Sequence, residues 1–166
     1  MRPTVTFLVA HPAHLIALGF GSGLSPWAPG TAGTLWAWLS FAILFPLLTN
    51  AAWGFLLSAA LLIGWWACTV TARHLDVQDP GAIVWDEIAA FWLMLWLLAP
   101  SSAWEQCAAF ALFRFFDAAK PGPVAWADKR FKGFGARGGF GIMFDDLVAA
   151  VCALLVLGLW RWWHMP

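Results

Sequence analysis

Apolar residues run in long unbroken blocks along this chain, and polar residues collect in the gaps between blocks. A helix that crosses a bilayer needs about 20 mostly apolar residues, within a range of roughly 17 to 25. The stretch 34–48 predicts a first span, opening after a Gly/Pro-rich segment and carrying Pro46 near its far end. Residues 51–72 form the cleanest candidate, with no charge before its end. A third span, 83–99, is apolar except for Asp86 and Glu87 at its beginning. A fourth, 103–116, is short and carries Glu105 near one end and Arg114 near the other. The fifth, 141–163, has Asp145 and Asp146 near its start. Thr49-Asn50 and Pro100-Ser101-Ser102 read as tight turns between neighbouring spans. Nothing alternates with the period of a barrel strand, so helices are the expected spanning form. The expected fold is therefore all-α: one domain over 1–166, a polytopic membrane bundle of about five helices. A Gly-rich N-terminal loop segment, re-entrant or amphipathic, precedes the first span.

Composition reinforces the membrane assignment. Of 166 residues, 62% are hydrophobic and 11% are charged, against about 25% charged in an ordinary globular domain. Nine basic and nine acidic residues cannot cover the outside of a soluble domain of this size. The net charge of zero excludes a nucleic-acid binder that rests on a basic excess. Tyr is absent and Trp is abundant at 14 residues; some of these are expected at the membrane interfaces and others inside the spans. Cys68, Cys107 and Cys152 lie in apolar runs without metal-ligand spacing, and their odd number suits no disulfide framework. They read as packing residues. The N-terminus is too weakly patterned for a signal peptide.

Charge distribution gives the sidedness. Alternate threading places 1–33, 73–82 and 117–140 on one side. Arg2, Arg73, Arg114, Lys120, Lys129, Arg130, Lys132 and Arg137 fall there or at its helix mouths, and Arg161 alone lies opposite. Lys and Arg accumulate on the cytoplasmic side of membrane proteins, so this side is expected to face the cytoplasm. The acids follow the same split, with Glu105 alone on the far side.

Asp86-Glu87 and Asp145-Asp146 carry the strongest chemical signal. An ionised group at mid-bilayer costs about 2.5 to 3.5 kcal/mol on insertion scales and is tolerated beside a polar cavity, another charge or a metal. Placement near a helix mouth lowers that cost. A single acid there would be explained by the helix dipole, worth about 0.3 to 1 kcal/mol. Two matched pairs point instead to a shared charged site. Neighbouring helical residues diverge by about 100°, so each pair is expected to offer one inward carboxylate and one flanking partner. Oxygen-only donors suit Mg²⁺ or another hard divalent cation.

A second constellation runs from Gly19 to Pro26 and on through Pro29, Gly30, Thr31, Gly33 and Thr34. Glycine lets backbone N–H groups turn toward an anion, and a helix N-terminus adds unpaired donors that favour phosphate. The plainer reading is a turn in which Thr31 or Thr34 caps the first span. A third constellation is Arg114, Asp117 and Lys120, spaced to share one helix face. Arg forks onto phosphate oxygens and Lys supplies a point charge, while Asp117 would ligate metal or orient Arg114. The plainer reading there is a helix end with snorkelling bases. The loop from Asp128 through Lys132 and Arg137 mixes bases, Phe and Gly and would attract anionic headgroups. His14 and His74 lie on the same side, without zinc-ligand spacing on a helix.

Acids suited to Mg²⁺, groups suited to phosphate and a membrane edge thus fall on one face. That combination suits reaction at an anionic phospholipid headgroup and leaves hydrolysis and group transfer both open.

At these residues the sequence resembles the phosphatidylglycerophosphatase A family of bacteria. The resemblance is carried by Gly19 to Pro26 with Pro29-Gly30-Thr31 and Gly33-Thr34, and by Ile83-Val84-Trp85-Asp86-Glu87. Phe113-Arg114 with Asp117, Lys120-Pro121 and Pro123 follows, then Gly138 to Met143 with Asp145-Asp146. It implies a Mg²⁺-dependent lipid phosphatase of the inner membrane, active at the cytoplasmic face. Such an enzyme removes the terminal phosphate of phosphatidylglycerophosphate to leave phosphatidylglycerol. Asp86, Glu87, Asp117, Asp145 and Asp146 would then form the catalytic set. Asp86, Glu87, Asp145 and Asp146 would hold the metal, and Gly30, Thr31, Gly33, Thr34, Arg114 and Lys120 would bind phosphate. The stretch 128–138 departs from the family pattern in length, and Lys132-Gly133-Phe134-Gly135 is a near-echo of Gly138-Gly139-Phe140-Gly141. Two rivals stand beside this reading. A phosphatidyl transferase would use similar acids, but the long Asp/Gly motif of that class is missing. A channel or transporter subunit would line a path through the bilayer, whereas these acids gather at one face.

Overall fold

The computed structural model of the chain describes residues 3–164, so Arg2 of the sidedness argument lies outside the described residues. Within them every regular element is helical and no strand occurs, as the apolar blocks predict. Two short helices, α1 (Val5–Val9) and α2 (Pro12–Ala17), lead into a 3-10 segment, Gly19–Leu24. Five long helices follow: α3 (Pro29–Leu44), α4 (Asn50–Leu75), α5 (Trp85–Leu98), α6 (Ala103–Ala119) and α8 (Ala136–His164). The short helix α7 (Pro123–Arg130) sits between the last two. The Gly-rich N-terminal segment is thus helical for most of its length. It is kinked at Phe20 and Gly21, which both take positive φ.

Local chemistry accounts for several boundaries. The hydroxyl of Thr49 accepts from Ala52 N to start α4. Ser102 starts α6 with a reciprocal capping box to Glu105, which satisfies two otherwise orphaned donors. Both predicted turns are therefore helix caps. Two starts differ from expectation. α3 begins at Pro29 behind Ala28, so neither Thr31 nor Thr34 is a cap. Thr34 lies inside the helix, where its hydroxyl donates to Gly30 O at 2.8 Å. α8 begins at Ala136, five residues ahead of the predicted span, because Gly138, Gly139 and Gly141 pack tightly within a helix instead of breaking it.

Pro29–Leu47, Asn50–Leu75 and Ala136–His164 are long and apolar enough to cross a membrane. α5, with 14 residues, is shorter than its predicted span 83–99, whereas α6, with 17, runs past the end of its own, 103–116. At 1.5 Å per residue α5 rises about 21 Å, against a hydrocarbon thickness of about 30 Å. Its environment supplies the reason. α5 packs against α3, α4, α6 and α8, and nearly all its residues are buried. A helix apolar on every face belongs in the centre, and one sheathed by protein can be shorter than the bilayer.

Trp residues divide as expected between core and rim. Trp53, Trp85 and Trp92 are buried; Trp92 contacts both of the others edge-on. Trp27, Trp104, Trp162 and Trp163 are exposed near helix ends. The three cysteines are free, with Cys68 buried in the core and Cys107 exposed.

α2 is pinned at both ends. Val84 N donates to Ala17 O at 2.9 Å, tying α2 to the residue before α5. His14 is buried, and its Nδ1 bonds Phe7 O at 2.8 Å. Burial holds His14 below the ordinary histidine range; His74 and His11 act the same way and the Phe7 carbonyl opposes them.

Candidate active site

Asp86 and Glu87 occupy the first turn of α5, as the sequence predicts. Asp145 and Asp146 do not occupy a first turn: the early start of α8 puts them in its third. Dipole stabilisation fades within one turn of a helix end, so it cannot account for this second pair. Asp146 joins Asp86 and Glu87. One oxygen from each of the three carboxylates lies within 4.8 Å of the others. Asp86 Oδ1, Glu87 Oε2 and Asp146 Oδ2 are all buried and all lack a hydrogen-bond partner. Three buried carboxyl oxygens without partners, on residues that meet at one place, are costly. Their oxygen-only donor set fits Mg²⁺ or another hard divalent cation.

Asp145 faces elsewhere. It accepts from Lys120, which also donates to Asp128 at 2.6 Å, while Lys132 reaches Asp128 at 3.0 Å. The expected inward-and-flanking split therefore holds for Asp145-Asp146 but not for Asp86-Glu87, both of which enter the cluster. Lys120 is the residue that ends α6, in a left-handed conformation. It leaves the helical face of Arg114 and Asp117 and clamps α7 to α8. Burial alone would lower the Lys120 pKa, but Asp128 and Asp145 outweigh it and hold the ammonium above the ordinary lysine range. Partial burial likewise opposes ionisation of Asp128, yet Lys120 and Lys132 hold it below the ordinary carboxylate range.

Arg114 closes the other flank. It pairs with Asp117 one turn along α6 and lies 3.7 Å from Glu87 Oε1. Gly30, in the first turn of α3, abuts both groups. A Cβ there would overlap Glu87 Oε1 and press on the Arg114 guanidinium, so only glycine leaves that space open. Gly33 turns instead toward Val84, and the Thr34 hydroxyl is spent on Gly30 O. Of the N-terminal candidates, Gly30 borders the charge cluster and Thr31 follows it in the first turn of α3; Gly33 packs against Val84 just ahead of α5, and Thr34 is buried within α3.

Sequence reasoning passed over Asp79 as a loop charge. It lines a shallow recess with Asp128, Lys132 and Asp145, and a second one bordered by Gly23 to Pro26. Its only local signal is an Asp-Pro-Gly turn ahead of α5. At the opposite end of the bundle Arg161 Nε meets Glu105 Oε1 at 2.7 Å, so the two charges assigned to the far side neutralise each other.

Residues 15–161 match the family described as Phosphatidylglycerophosphatase A. The chain is 39% identical to a Haemophilus influenzae protein named Phosphatidylglycerophosphatase A, over 99% of this chain and 98% of that one. It is 41% identical to an Escherichia coli protein of the same name, over 90% of this chain and 83% of that one. A Bacteroides thetaiotaomicron protein with the provisional name phosphatidylinositol-3-phosphatase is 39% identical over 89% of this chain and 92% of its own. No solved structure matches the chain. A match along almost the whole length, including every helix that contributes to the carboxylate cluster, settles the relationship: the chain belongs to the phosphatidylglycerophosphatase A family.

Proposed function

We propose that this protein is a Mg²⁺-dependent lipid phosphatase. Its substrate would be phosphatidylglycerophosphate, whose terminal phosphate it removes to leave phosphatidylglycerol in bacterial phospholipid synthesis. The observation that carries this reading is the convergence of the buried carboxylates of Asp86, Glu87 and Asp146 beside Arg114, each with a buried oxygen that has no partner. The names of the Haemophilus and Escherichia relatives support the choice of lipid.

Mg²⁺ held by Asp86, Glu87 and Asp146 would supply positive charge to the phosphoryl oxygens. Arg114 spreads the charge of the remaining oxygens with its planar fork, and Asp117 holds that fork in place. The first-turn N–H groups of α3 at Gly30 and Thr31 have no helical partner, and Gly30 puts this positive helix end beside Glu87 and Arg114. One of the carboxylates takes the proton of the attacking water. The P–O bond to the glycerol breaks, the leaving glycerol oxygen takes up a proton to become a hydroxyl, and inorganic phosphate leaves. Lys120 holds Asp145 and keeps α7 seated on α8. The cluster lies at the basic end of the bundle, and the excess of Lys and Arg there supports a cytoplasmic orientation; an inner-membrane location is part of the proposal.

The test is phosphate release from phosphatidylglycerophosphate in mixed micelles, with Mg²⁺ and with EDTA, alongside phosphatidylinositol 3-phosphate as a competing lipid. Fast release that needs Mg²⁺ and favours phosphatidylglycerophosphate is expected. No release by folded, metal-loaded protein sinks the reading; preference for the inositol lipid overturns the choice of headgroup.

A further inference from the structure

Three histidines that the phosphatase reading leaves unused converge on the face where α2 meets α4. His11 caps the start of α2, His14 lies within it, and His74 is in the last turn of α4. Their ring centroids are 5.1 Å (His14 to His74), 5.4 Å (His11 to His14) and 5.6 Å (His11 to His74) apart. Three imidazoles bound tetrahedrally to one ion through bonds of about 2.0 to 2.1 Å have centroids about 5 Å apart. The spacing of the ring centres is that of ligands around a common ion, while the three ring nitrogens do not converge without side-chain rotation: among the described residues only Asp86, Glu87 and Asp146 bring three donor atoms within 4.8 Å of one another.

The orientation of His14 agrees. Its Nδ1 donates to Phe7 O at 2.8 Å, which leaves the Nε2 lone pair facing outward. A metal-binding histidine is usually oriented this way, with its second nitrogen donating to a backbone carbonyl. The nitrogen it faces is His74 Nδ1, 2.8 Å away. His74 is exposed, so its ring can withdraw by the roughly half an ångström that two metal–nitrogen bonds at a tetrahedral angle require. His11 completes the set only by rotating, because its Nδ1 now accepts from Ala13 N as the cap of α2.

We propose that His14, His74 and His11 form a second metal site, one that takes a borderline ion of the Zn²⁺ class. The proton now between His14 Nε2 and His74 Nδ1 passes to His74 Nε2, so both rings bind as neutral imidazoles. An all-nitrogen set selects Zn²⁺-like ions, whereas the all-oxygen cluster selects Mg²⁺, so the two sites sort different metals. Occupancy would lock α2 to α4, and α2 holds Val84, the residue before α5, through Ala17 O.

The test is Zn²⁺ titration of detergent-solubilised, untagged protein against a chromophoric chelator, in excess Mg²⁺ so that the carboxylates are occupied. One equivalent is expected to bind in the micromolar range or tighter. Loss of a neighbour that merely orients a ligand costs about 10- to 100-fold in affinity. His74→Ala, at an exposed position that leaves the core intact, should therefore cost about 100-fold. His11→Ala should cost about tenfold, and Asp146→Asn nothing. Absence of Zn²⁺ binding overturns the site, as does binding that survives His74→Ala. Loss in Asp146→Asn would assign the zinc to the carboxylates, and a silent His11→Ala would overturn the three-histidine geometry.

Discussion

At the scale of single residues, the informative atoms are those without partners. Asp86 Oδ1, Glu87 Oε2 and Asp146 Oδ2 repel one another in a buried space. Removing one charge should therefore relieve the fold while it disables the site. Asp86→Asn and Asp146→Asn are each expected to lose nearly all phosphate release. Their melting temperature in EDTA should equal or exceed that of the parent. A variant with full activity would remove that residue from the mechanism, and a large drop in melting temperature would show that the charge is structural. Gly30 makes the complementary case. A methyl group at this position would displace Glu87 or Arg114. Misplacing a catalytic group by about 1 Å can cost about 100-fold, so Gly30→Ala should lose rate on that order while melting like the parent. Normal turnover in Gly30→Ala would mean that the space beside Glu87 is not used. Asp145 and Asp146 show how far sequence carries at this scale. The pair is visible at once as acids in an apolar run, but its division between Lys120 and the cluster depends on which helices lie on either side.

At the scale of elements, the helices hold together through close approach. Gly64 on α4 faces the Trp85 indole, whose Nε1 donates to Ala60 O at 2.9 Å. Because Trp85 directly precedes Asp86, this crossing sets the height and rotation of the carboxylate turn. A branched side chain there overpacks the crossing. Gly64→Val is expected to destabilise by about 1 to 3 kcal/mol and to reduce activity with it, read by thermal denaturation and phosphate release on the same preparation. A stable Gly64→Val with unchanged activity would contradict the role of this crossing. The sequence showed five apolar blocks and two of the turns between them. It misplaced the starts of α3 and α8 because glycine and proline punctuate a soluble chain yet lie readily within tightly packed membrane helices. α5 was read as a span like the others, since apolar content does not distinguish a helix bathed in lipid from one enclosed by protein.

At the scale of the whole molecule, α3, α5, α6 and α8 contribute to one charged cluster. A cation bound there would join α5 and α8, whose carboxylates otherwise repel one another. Mg²⁺ should therefore stabilise the protein, by about 2.7 kcal/mol when present at 100 times its Kd. In detergent this is expected as a melting temperature that rises with Mg²⁺ and falls back in EDTA, and as no rise in Asp146→Asn. Equal melting temperatures with Mg²⁺ and EDTA would argue that the carboxylates hold no ion. The other end of the bundle contributes no comparable charge, since Glu105 and Arg161 satisfy each other.

The amino-acid sequence by itself determined that the chain is a helical membrane protein, that its charges gather at one end and to which family it belongs. Those properties follow from composition, block length and local motifs, which do not depend on how distant segments meet. The tertiary structure alone decided that α5 is the enclosed centre, that Asp146 and not Asp145 joins Asp86 and Glu87, and that Gly30 borders them. It also brought His74 to His14, 60 residues away in sequence. Helical periodicity states which residues share a face. Which face meets which neighbour is settled by packing between helices far apart in the chain, where a glycine's missing side chain or a tryptophan's volume fixes the approach.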